Sequence, residues 1–318
     1  MTTSALDIRD LVKCYGARRA LDGLTLSVPR HTVTGLVGSN GAGKTTMMMT
    51  VAGFLRPTSG SVNLLGQGPF DAEIHKGRFA ILPQDSDLPL ASRPLELLVH
   101  YGRLQGLRRA AAEQSAKAML DAVHLGDRLN SPIRALSHGM RKRVMMAQCF
   151  IGSPDLVLLD EPLSGLDPIE VAHMRGFILQ RKTHQTIMIS SHNLHDIEQV
   201  CDHVAFVEKG RTVRFARIDE LTGKSNILSY QLAGTPPDIP ALMAALPGGA
   251  TLDFNPAKLT LICRYPSATF EPQEINQILL PPLQAQCGLI AITQGSSLED
   301  EYLKHSLRAK DKRYSHLN

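Results

Sequence analysis

The chain has 318 residues, of which 43% are hydrophobic and 20% charged, and its formal net charge is +4. This length and composition indicate a globular protein with two domains, or with one domain and a sizeable appendage. The small, dispersed charge argues against a nucleic-acid partner, and no segment approaches the roughly 18 apolar residues of a membrane span. The opening MTTSALDIRD carries charges where a signal peptide needs an apolar core, so we expect no export of the chain. Five scattered cysteines favour buried thiols in a reducing compartment.

The first predicted elements are strands. Two segments of alternating polarity, LDIRDLVKCY and ALDGLTLSV, flank the turn GARR and predict a β-hairpin. The segment TVTGLV then predicts a short apolar strand, which is followed by a glycine-rich loop and the helix KTTMMMTVAGF. The consecutive residues Met47, Met48 and Met49 cannot share one helix face, so we expect them to be packing residues.

From about Pro89 to Ile151 the apolar spacing becomes helical. Strands return at DLVLLDEP, TIMISSH and HVAFVEKG. Strands that alternate with helices predict an α/β fold with a mostly parallel sheet. The helical block, at about residues 86–152, is then a side lobe inserted between two strands of that sheet.

A change of composition near Gly223–Ser225 predicts a boundary between a first domain, 1–222, and a second, 225–318. The second domain is richer in Pro and has strand patterns at ILSYQLAG, ATLDF, KLTLICRY and CGLIAIT. Helix patterns lie between them at IPALMAAL and QEINQILLPPLQAQ, so the order β-α-β-β-α-β predicts a small α+β domain. The final segment SSLEDEYLKHS predicts a helix with Ser297 as its N-cap.

One segment carries a phosphate-binding pattern. The sequence GSNGAGKTT satisfies G-x-x-x-x-G-K-[ST] between a predicted strand and a predicted helix. Glycines let successive backbone N–H groups converge on phosphate oxygens, Lys44 adds a charge for the terminal phosphates, and Thr45 offers a hydroxyl to Mg²⁺. The predicted phosphate-binding residues are Gly38, Ser39, Asn40, Gly41, Ala42, Gly43, Lys44, Thr45 and Thr46.

A second pattern places two carboxylates after an apolar strand. In LVLLDEP, a buried strand delivers Asp160 to its carboxyl end, where the side chain can reach a metal beside the phosphate-binding loop. The adjacent Glu161 points elsewhere and can polarise a water molecule. Together, the two patterns predict a site for a nucleotide and Mg²⁺.

With these motifs in this order, the sequence resembles the nucleotide-binding subunit of an ATP-binding-cassette (ABC) transporter over about residues 5–222. The resemblance implies an α/β P-loop cassette with a mixed sheet core, an antiparallel β subdomain and a helical subdomain. It also implies that Tyr15 stacks on adenine, that Gln84 in ILPQD contacts Mg²⁺ and couples to the transporter, and that His192 in SSH contacts the γ-phosphate. Further nucleotide contacts come from the signature Leu136–Met140, through Ser137 and Gly139, and from Asp167 in the D-loop segment SGLDP.

The signature, LSHGM, departs from the common LSGGQ at His138 and Met140. Because His138 is titratable, we expect it to influence the rate and the pH dependence of hydrolysis. Three cations, Arg141 to Arg143, follow the signature at the start of a predicted helix. The N-terminus of a helix already carries partial positive charge, so this position disfavours cations. The resemblance implies that a partner subunit's ATP supplies the compensating anion, since two cassettes close head to tail on two ATP. We expect two of these three cations to lie on a solvated face or in internal salt bridges.

The resemblance implies ATP hydrolysis assisted by Mg²⁺, with Lys44, Glu161 as general base and His192 as the catalytic groups. It further implies a homodimer or paired cassette, a separate polytopic membrane permease, and a location on the cytoplasmic face of the membrane. PLELLVHYGRLQGL and SSLEDEYLKHS resemble segments of ABC-2-type exporters of drugs, lipids or polysaccharides. The alternatives are import, a soluble ABC ATPase acting in translation or DNA metabolism, and a non-catalytic regulatory cassette.

Overall fold

The computed structural model describes residues 4–222, 226–266, 270–295 and 298. The chain divides into two compact units between Ala216 and Arg217. In the described ranges, no helix has both the length and the apolar character needed to cross a membrane. Two predictions fall outside the described residues. One is the domain boundary at 223–225, and the other is the helix that begins at Ser297, of which only Leu298 is described.

The first unit contains two sheets. Its strands are β1 (Ser4–Tyr15), β2 (Arg18–Pro29), β3 (Val33–Val37), β4 (Ser59–Leu64), β5 (Phe79–Leu82), β6 (Leu156–Asp160), β7 (Thr186–Ser191), β8 (His203–Glu208) and β9 (Arg211–Arg217). The smaller sheet has the order β2-β1-β4 and is antiparallel, which confirms the predicted hairpin. The larger sheet has the order β5-β6-β7-β3-β8-β9 and is parallel from β5 to β8.

The central strands β3, β6 and β7 are buried along their whole length, as expected for a parallel sheet with both faces covered. The sequence prediction omitted β4, β5 and β9. The strand β4 has the largely small and polar sequence SGSVNL, and β5 has only four residues. The strand β9 alternates between exposed and half-buried positions and carries three arginines. None of the three gives the continuous apolar run that identifies a buried strand.

The helices of the first unit are α1 (Lys44–Val51), α2 (Pro94–Leu104), α3 (Arg109–Ala122), α4 (His138–Cys149), α5 (Pro168–Arg181) and α6 (Leu194–Val200). The prediction extended α1 to Phe54, but the helix ends earlier because Gly53 has a φ of +77°. Met47 and Met48 are fully buried in the core under the smaller sheet, which confirms their packing role.

The helical lobe consists of α2, α3 and α4. Pro94 lies in the first turn of α2. Backbone N–H groups in this turn have no partner within the helix, so the absence of an N–H on proline costs no hydrogen bond. The helices α2 and α3 approach closely because Gly102 faces Ala112, and an added Cβ on Gly102 would lie 3.0 Å from the Ala112 side chain. The helices of this lobe pack together, since its last helix, α4, also contacts α3.

The second unit has its own core. Its elements are α7 (Ile218–Thr222), β10 (Ile227–Leu232), α8 (Ile239–Ala245), β11 (Thr251–Asn255), β12 (Thr260–Arg264), α9 (Pro272–Gln286) and β13 (Leu289–Gln294). From β10 onward this is the predicted β-α-β-β-α-β order, in an antiparallel sheet ordered β11-β12-β10-β13. Tyr230, Leu261 and Leu279 are fully buried in this core, so the sheet has one face packed against apolar side chains.

All five cysteines are free, and four of them are buried while Cys14 is partly exposed. Burial raises the pKa of the Cys149 thiol to about 12 and that of Cys263 to about 11, because the charged thiolate loses its hydration. The buried thiols therefore behave as small apolar side chains.

Candidate functional site

The phosphate-binding loop connects β3, in the middle of the larger sheet, to α1. Gly41 and Gly43 have φ angles of +80° and +109°, a region that other residues rarely adopt. An added Cβ on Gly43 would also lie 2.7 Å from the Ala20 carbonyl oxygen. The first turn of α1 has neither a side-chain cap nor an acidic residue, so its free N–H groups can bind an anion.

A cavity of about 380 Å³ opens at this helix terminus. Lys44 is buried and donates hydrogen bonds to the carbonyl oxygens of Gly38, at 2.7 Å, and Ser39, at 3.3 Å. The cavity brings together most of the predicted site and adds Arg18, Ala20 and Ser164. Its lining residues are Arg18, Ala20, Asn40, Gly41, Gly43, Lys44, Thr45, Thr46, Gln84, Asp160, Glu161, Ser164 and His192. Gly38, Ser39 and Ala42 complete the loop but do not line the cavity.

Asp160 has one satisfied and one unsatisfied carboxylate oxygen. Its Oδ1 accepts a hydrogen bond from the Ser190 hydroxyl, and its buried Oδ2 has no partner among the described residues. A buried carboxylate oxygen without a partner is costly, and a hard cation is a natural partner for it. Thr45 and Gln84 add oxygen donors to the same cavity, so the residues present fit Mg²⁺.

Glu161 follows Asp160 but projects in a different direction. Its φ of +51° lies in the left-handed region, and its backbone N–H donates to the Ser190 hydroxyl at 2.9 Å. His192 Nδ1 is 2.9 Å from Glu161 Oε2 and is the donor, because a carboxylate can only accept. The Glu161 side chain is 10% exposed and that of His192 is 66% exposed, so the histidine lies on the solvent side of the pair.

Ser137 and Gly139 do not line the cavity of their own chain. Ser137 is the N-cap of α4, and its hydroxyl accepts from Met140 N at 3.1 Å. The turn that follows lies against the D-loop segment of the same chain. An added Cβ on Gly165 would be 3.5 Å from His138 Nε2, and one on Gly139 would be 3.5 Å from Leu166.

The cations at the start of α4 have different surroundings. Arg143 is buried, forms an ion pair with Glu170, and donates to the carbonyl oxygen of Val123 at 2.9 Å. Lys142 donates to the Ser164 carbonyl oxygen, and burial lowers the pKa of its ammonium group while the nearby Glu161 carboxylate opposes this change. Two of the three cations thus have partners within the chain.

Two other predicted site residues lie away from the cavity lining. Tyr15 ends β1, is 49% exposed, and has Lys13 Nζ at 5.2 Å from its ring centroid. Asp167 is the N-cap of α5, since its Oδ1 accepts from the backbone N–H groups of Ile169 and Glu170. An Asp followed by Pro is typical of the N-terminus of a helix, so the sequence also indicated this capping role.

Sequence reasoning assigned no role to Arg18, the third residue after Tyr15. Its neighbour Arg19 forms an ion pair with Asp22, whereas Arg18 lines the cavity with its guanidinium close to Gly41. The predicted hairpin could have indicated the position of Arg18, because the turn places the first residue of β2 beside the last residue of β1.

A family model described as ABC transporter matches residues 21–164. The Nod factor export ATP-binding protein I of Ralstonia nicotianae is 31% identical over 95% of this chain and 94% of its own length. The daunorubicin/doxorubicin resistance ATP-binding protein DrrA of Streptomyces peucetius is 33% identical over 72% of this chain and 71% of its own length.

Solved structures agree. An ATP-binding subunit of an ABC transporter has a TM-score of 0.63 at 28% identity and covers 70% of this chain and 93% of its own. A dimeric cassette in a post-hydrolysis state with ADP and phosphate has the same fold, with a TM-score of 0.62 at 18% identity over 67% of this chain and 98% of its own. The chain therefore belongs to the ABC transporter family and is an ATP-binding ATPase subunit.

Proposed function

We propose that this chain, as a dimer, powers the export of a substrate through a separate membrane permease. The observation that supports it most directly is the cavity that joins the phosphate-binding loop, the unsatisfied Asp160 oxygen and the Glu161–His192 pair. Residues 1–222 form the nucleotide-binding domain in this proposal, and residues 225–318 form an accessory domain.

The backbone N–H groups of the loop and Lys44 bind the phosphates, while Tyr15 stacks on the adenine. Thr45, Gln84 and Asp160 would hold Mg²⁺, which would neutralise negative charge on the phosphates when bound. Glu161 accepts the proton of the attacking water as general base. His192 orients that carboxylate through Nδ1 and contacts the γ-phosphate from the exposed side of the pair.

The signature residues act on the nucleotide of a second copy. Ser137 and Gly139 lie apart from the cavity of their own chain, at the N-terminus of a helix of twelve residues. A helix N-terminus favours an anion, and a γ-phosphate held by the partner's loop supplies one. Two copies that close head to tail thus complete two sites with two ATP molecules, and Asp167 joins that interface from the D-loop.

An apolar groove beside the nucleotide site offers a surface for the permease. The groove has a volume of about 250 Å³, and its lining includes Phe70, Ile81, Tyr101 and Leu104. Phe70 is 36% and Leu104 58% exposed, so the groove presents apolar surface to solvent. Ile81 belongs to β5, which ends two residues before Gln84, so one strand connects the groove to the cavity.

The export direction rests on the relatives, whose names describe Nod factor export and drug resistance. A permease partner also places the chain on the cytoplasmic face of the membrane. The membrane subunit selects the substrate in this arrangement.

The test is a pull-down of tagged Glu161→Gln protein from its native membranes with Mg-ATP, followed by identification of the bound proteins. Recovery of a polytopic membrane protein supports the proposal, and a Phe70→Asp/Leu104→Asp variant should then lose it. Recovery of ribosomes or DNA instead would favour the soluble ABC ATPase. Absence of steady-state ATPase activity in the wild-type complex would favour a regulatory cassette.

A further inference from the structure

Lys142 occupies a position that disfavours a cation. It lies in the first turns of α4, near the positive end of the helix dipole, and is flanked by Arg141 and Arg143. Its side chain is also half-buried, and the loss of hydration lowers the pKa of the ammonium group. A charge kept under these conditions needs compensation, which comes from a hydrogen bond to the carbonyl oxygen of Ser164 and from the nearby Glu161 carboxylate.

Ser164 belongs to a turn that begins at Glu161. The backbone N–H of Ser164 donates to the Glu161 carbonyl oxygen at 3.3 Å, which closes the turn. Glu161 itself has the left-handed φ of +51°, so the direction of its side chain depends on how this turn is held. Ser190 holds one end of the turn through the Glu161 backbone N–H, and Lys142 holds the other end.

The same turn lines the nucleotide cavity. Both Glu161 and Ser164 contribute to its wall, which they share with the phosphate-binding loop. A displacement of Ser164 would therefore move the carboxylate relative to the γ-phosphate without moving Lys44 or the loop. Such displacements of about 1 Å can reduce the rate of a reaction by about 100-fold.

We propose that Lys142 is a positioning residue for ATP hydrolysis: by holding the Ser164 carbonyl oxygen, it fixes the turn that carries the Glu161 carboxylate. This inference rests on the proposed role of Glu161 as general base. It also connects the helical lobe to the catalytic group, because Lys142 comes from α4 and Glu161 from the end of β6.

The experiment compares the ATPase kinetics of the full-length chain as wild type, Lys142→Met, Lys142→Arg and Lys117→Met. Lys142→Met should lower kcat by about 10- to 100-fold with little change in KM for ATP, because the phosphate-binding loop is untouched. Lys142→Arg keeps a donor for the carbonyl and should restore most of the turnover. Lys117→Met makes the same substitution on α3 of the same lobe, breaks only an exposed ion pair with Glu113, and should behave as wild type.

A double variant separates positioning from a general loss of structure. Two groups that act as one unit give non-additive losses, so Glu161→Gln/Lys142→Met should hydrolyse ATP no more slowly than Glu161→Gln alone. Additive losses, or equal kcat values for Lys142→Met and wild type, would overturn the proposal. If Glu161→Gln keeps wild-type turnover, the general-base assignment fails, and the role of Lys142 fails with it.

Discussion

At the scale of single residues, Arg18 is the cation in the cavity wall that the motifs did not reveal. Arg18 is the first residue of β2, and its guanidinium lies close to Gly41 of the phosphate-binding loop. The adjacent Arg19 is engaged with Asp22, which also accepts hydrogen bonds from Arg211. Two neighbouring arginines therefore differ in what they contact, and this difference can be tested.

Arg18→Gln should weaken ATP binding about tenfold, because a charge-assisted hydrogen bond to a phosphate contributes about 1.5–3 kcal/mol. The measurement is a fluorescence titration of each variant with an ATP analogue. Arg19→Gln is the matched control, since it removes the same charge next to the cavity and breaks only the surface ion pair with Asp22. Equal losses in the two variants would mean that overall charge, not a contact by Arg18, attracts the nucleotide.

The sequence predicted which residue types gather at the site, because Lys44, Asp160 and Glu161 follow buried strands whose carboxyl ends meet at one edge of a sheet. It did not reveal that Asp160 Oδ2 lacks a partner or that Glu161 adopts a positive φ. Those features depend on Ser190, which is 30 residues from Asp160 in the sequence. No local pattern specifies such a pairing.

At the scale of secondary-structure elements, Arg143 links three helices. It projects from α4, forms its ion pair with Glu170 of α5, and donates to Val123 and His124 at the end of α3. Backbone carbonyls at a helix C-terminus carry partial negative charge, so this arginine is attracted from both sides. The prediction of an internal salt bridge in this cluster of cations thus has a specific structural counterpart.

Arg143→Met should lower the free energy of unfolding by about 3–5 kcal/mol, because it leaves the Glu170 carboxylate without its cation. Urea unfolding of the full-length chain, followed by circular dichroism, measures this change. Adding Glu170→Leu to the first substitution removes the unpaired carboxylate and should recover part of the loss. If the double variant is no more stable than the single one, packing and not charge accounts for the effect.

The elements that the sequence predicted well are those with long apolar periodicity, such as α2 and β6. The prediction left out β5, since four residues are too few to show a period, although this strand connects the apolar groove to Gln84. In the second unit, α9 contains Pro281 and Pro282 but continues to Gln286. Burial of Leu279 and Leu283 on the same helix offsets the unfavourable effect of the two prolines on helix formation.

At the scale of the whole molecule, the separation of Ser137 from the nucleotide cavity has a consequence for assembly. In our proposal, one copy cannot complete its own site, and ATP must hold two copies together until it is hydrolysed. Glu161→Gln blocks the step that releases them, so the variant should form a dimer with Mg-ATP and return to a monomer with Mg-ADP.

Size-exclusion chromatography with light scattering measures this change in mass. Glu161→Gln combined with Ser137→Arg is the control, because the bulky cation obstructs the signature while the cavity keeps its residues. A Glu161→Gln protein that stays monomeric with Mg-ATP would contradict the composite site. A dimer that persists in the combined variant would place the contact elsewhere on the chain.

The distribution of cysteines makes the native chain suitable for site-specific spectroscopy. Four thiols are buried, and the raised pKa values of Cys149 and Cys263 leave almost no thiolate at neutral pH. A maleimide dye will therefore react first at Cys14, which precedes Tyr15 on β1. Without any engineering, the protein offers one attachment point next to the residue proposed to stack on adenine, where a fluorophore can report the arrival of ATP.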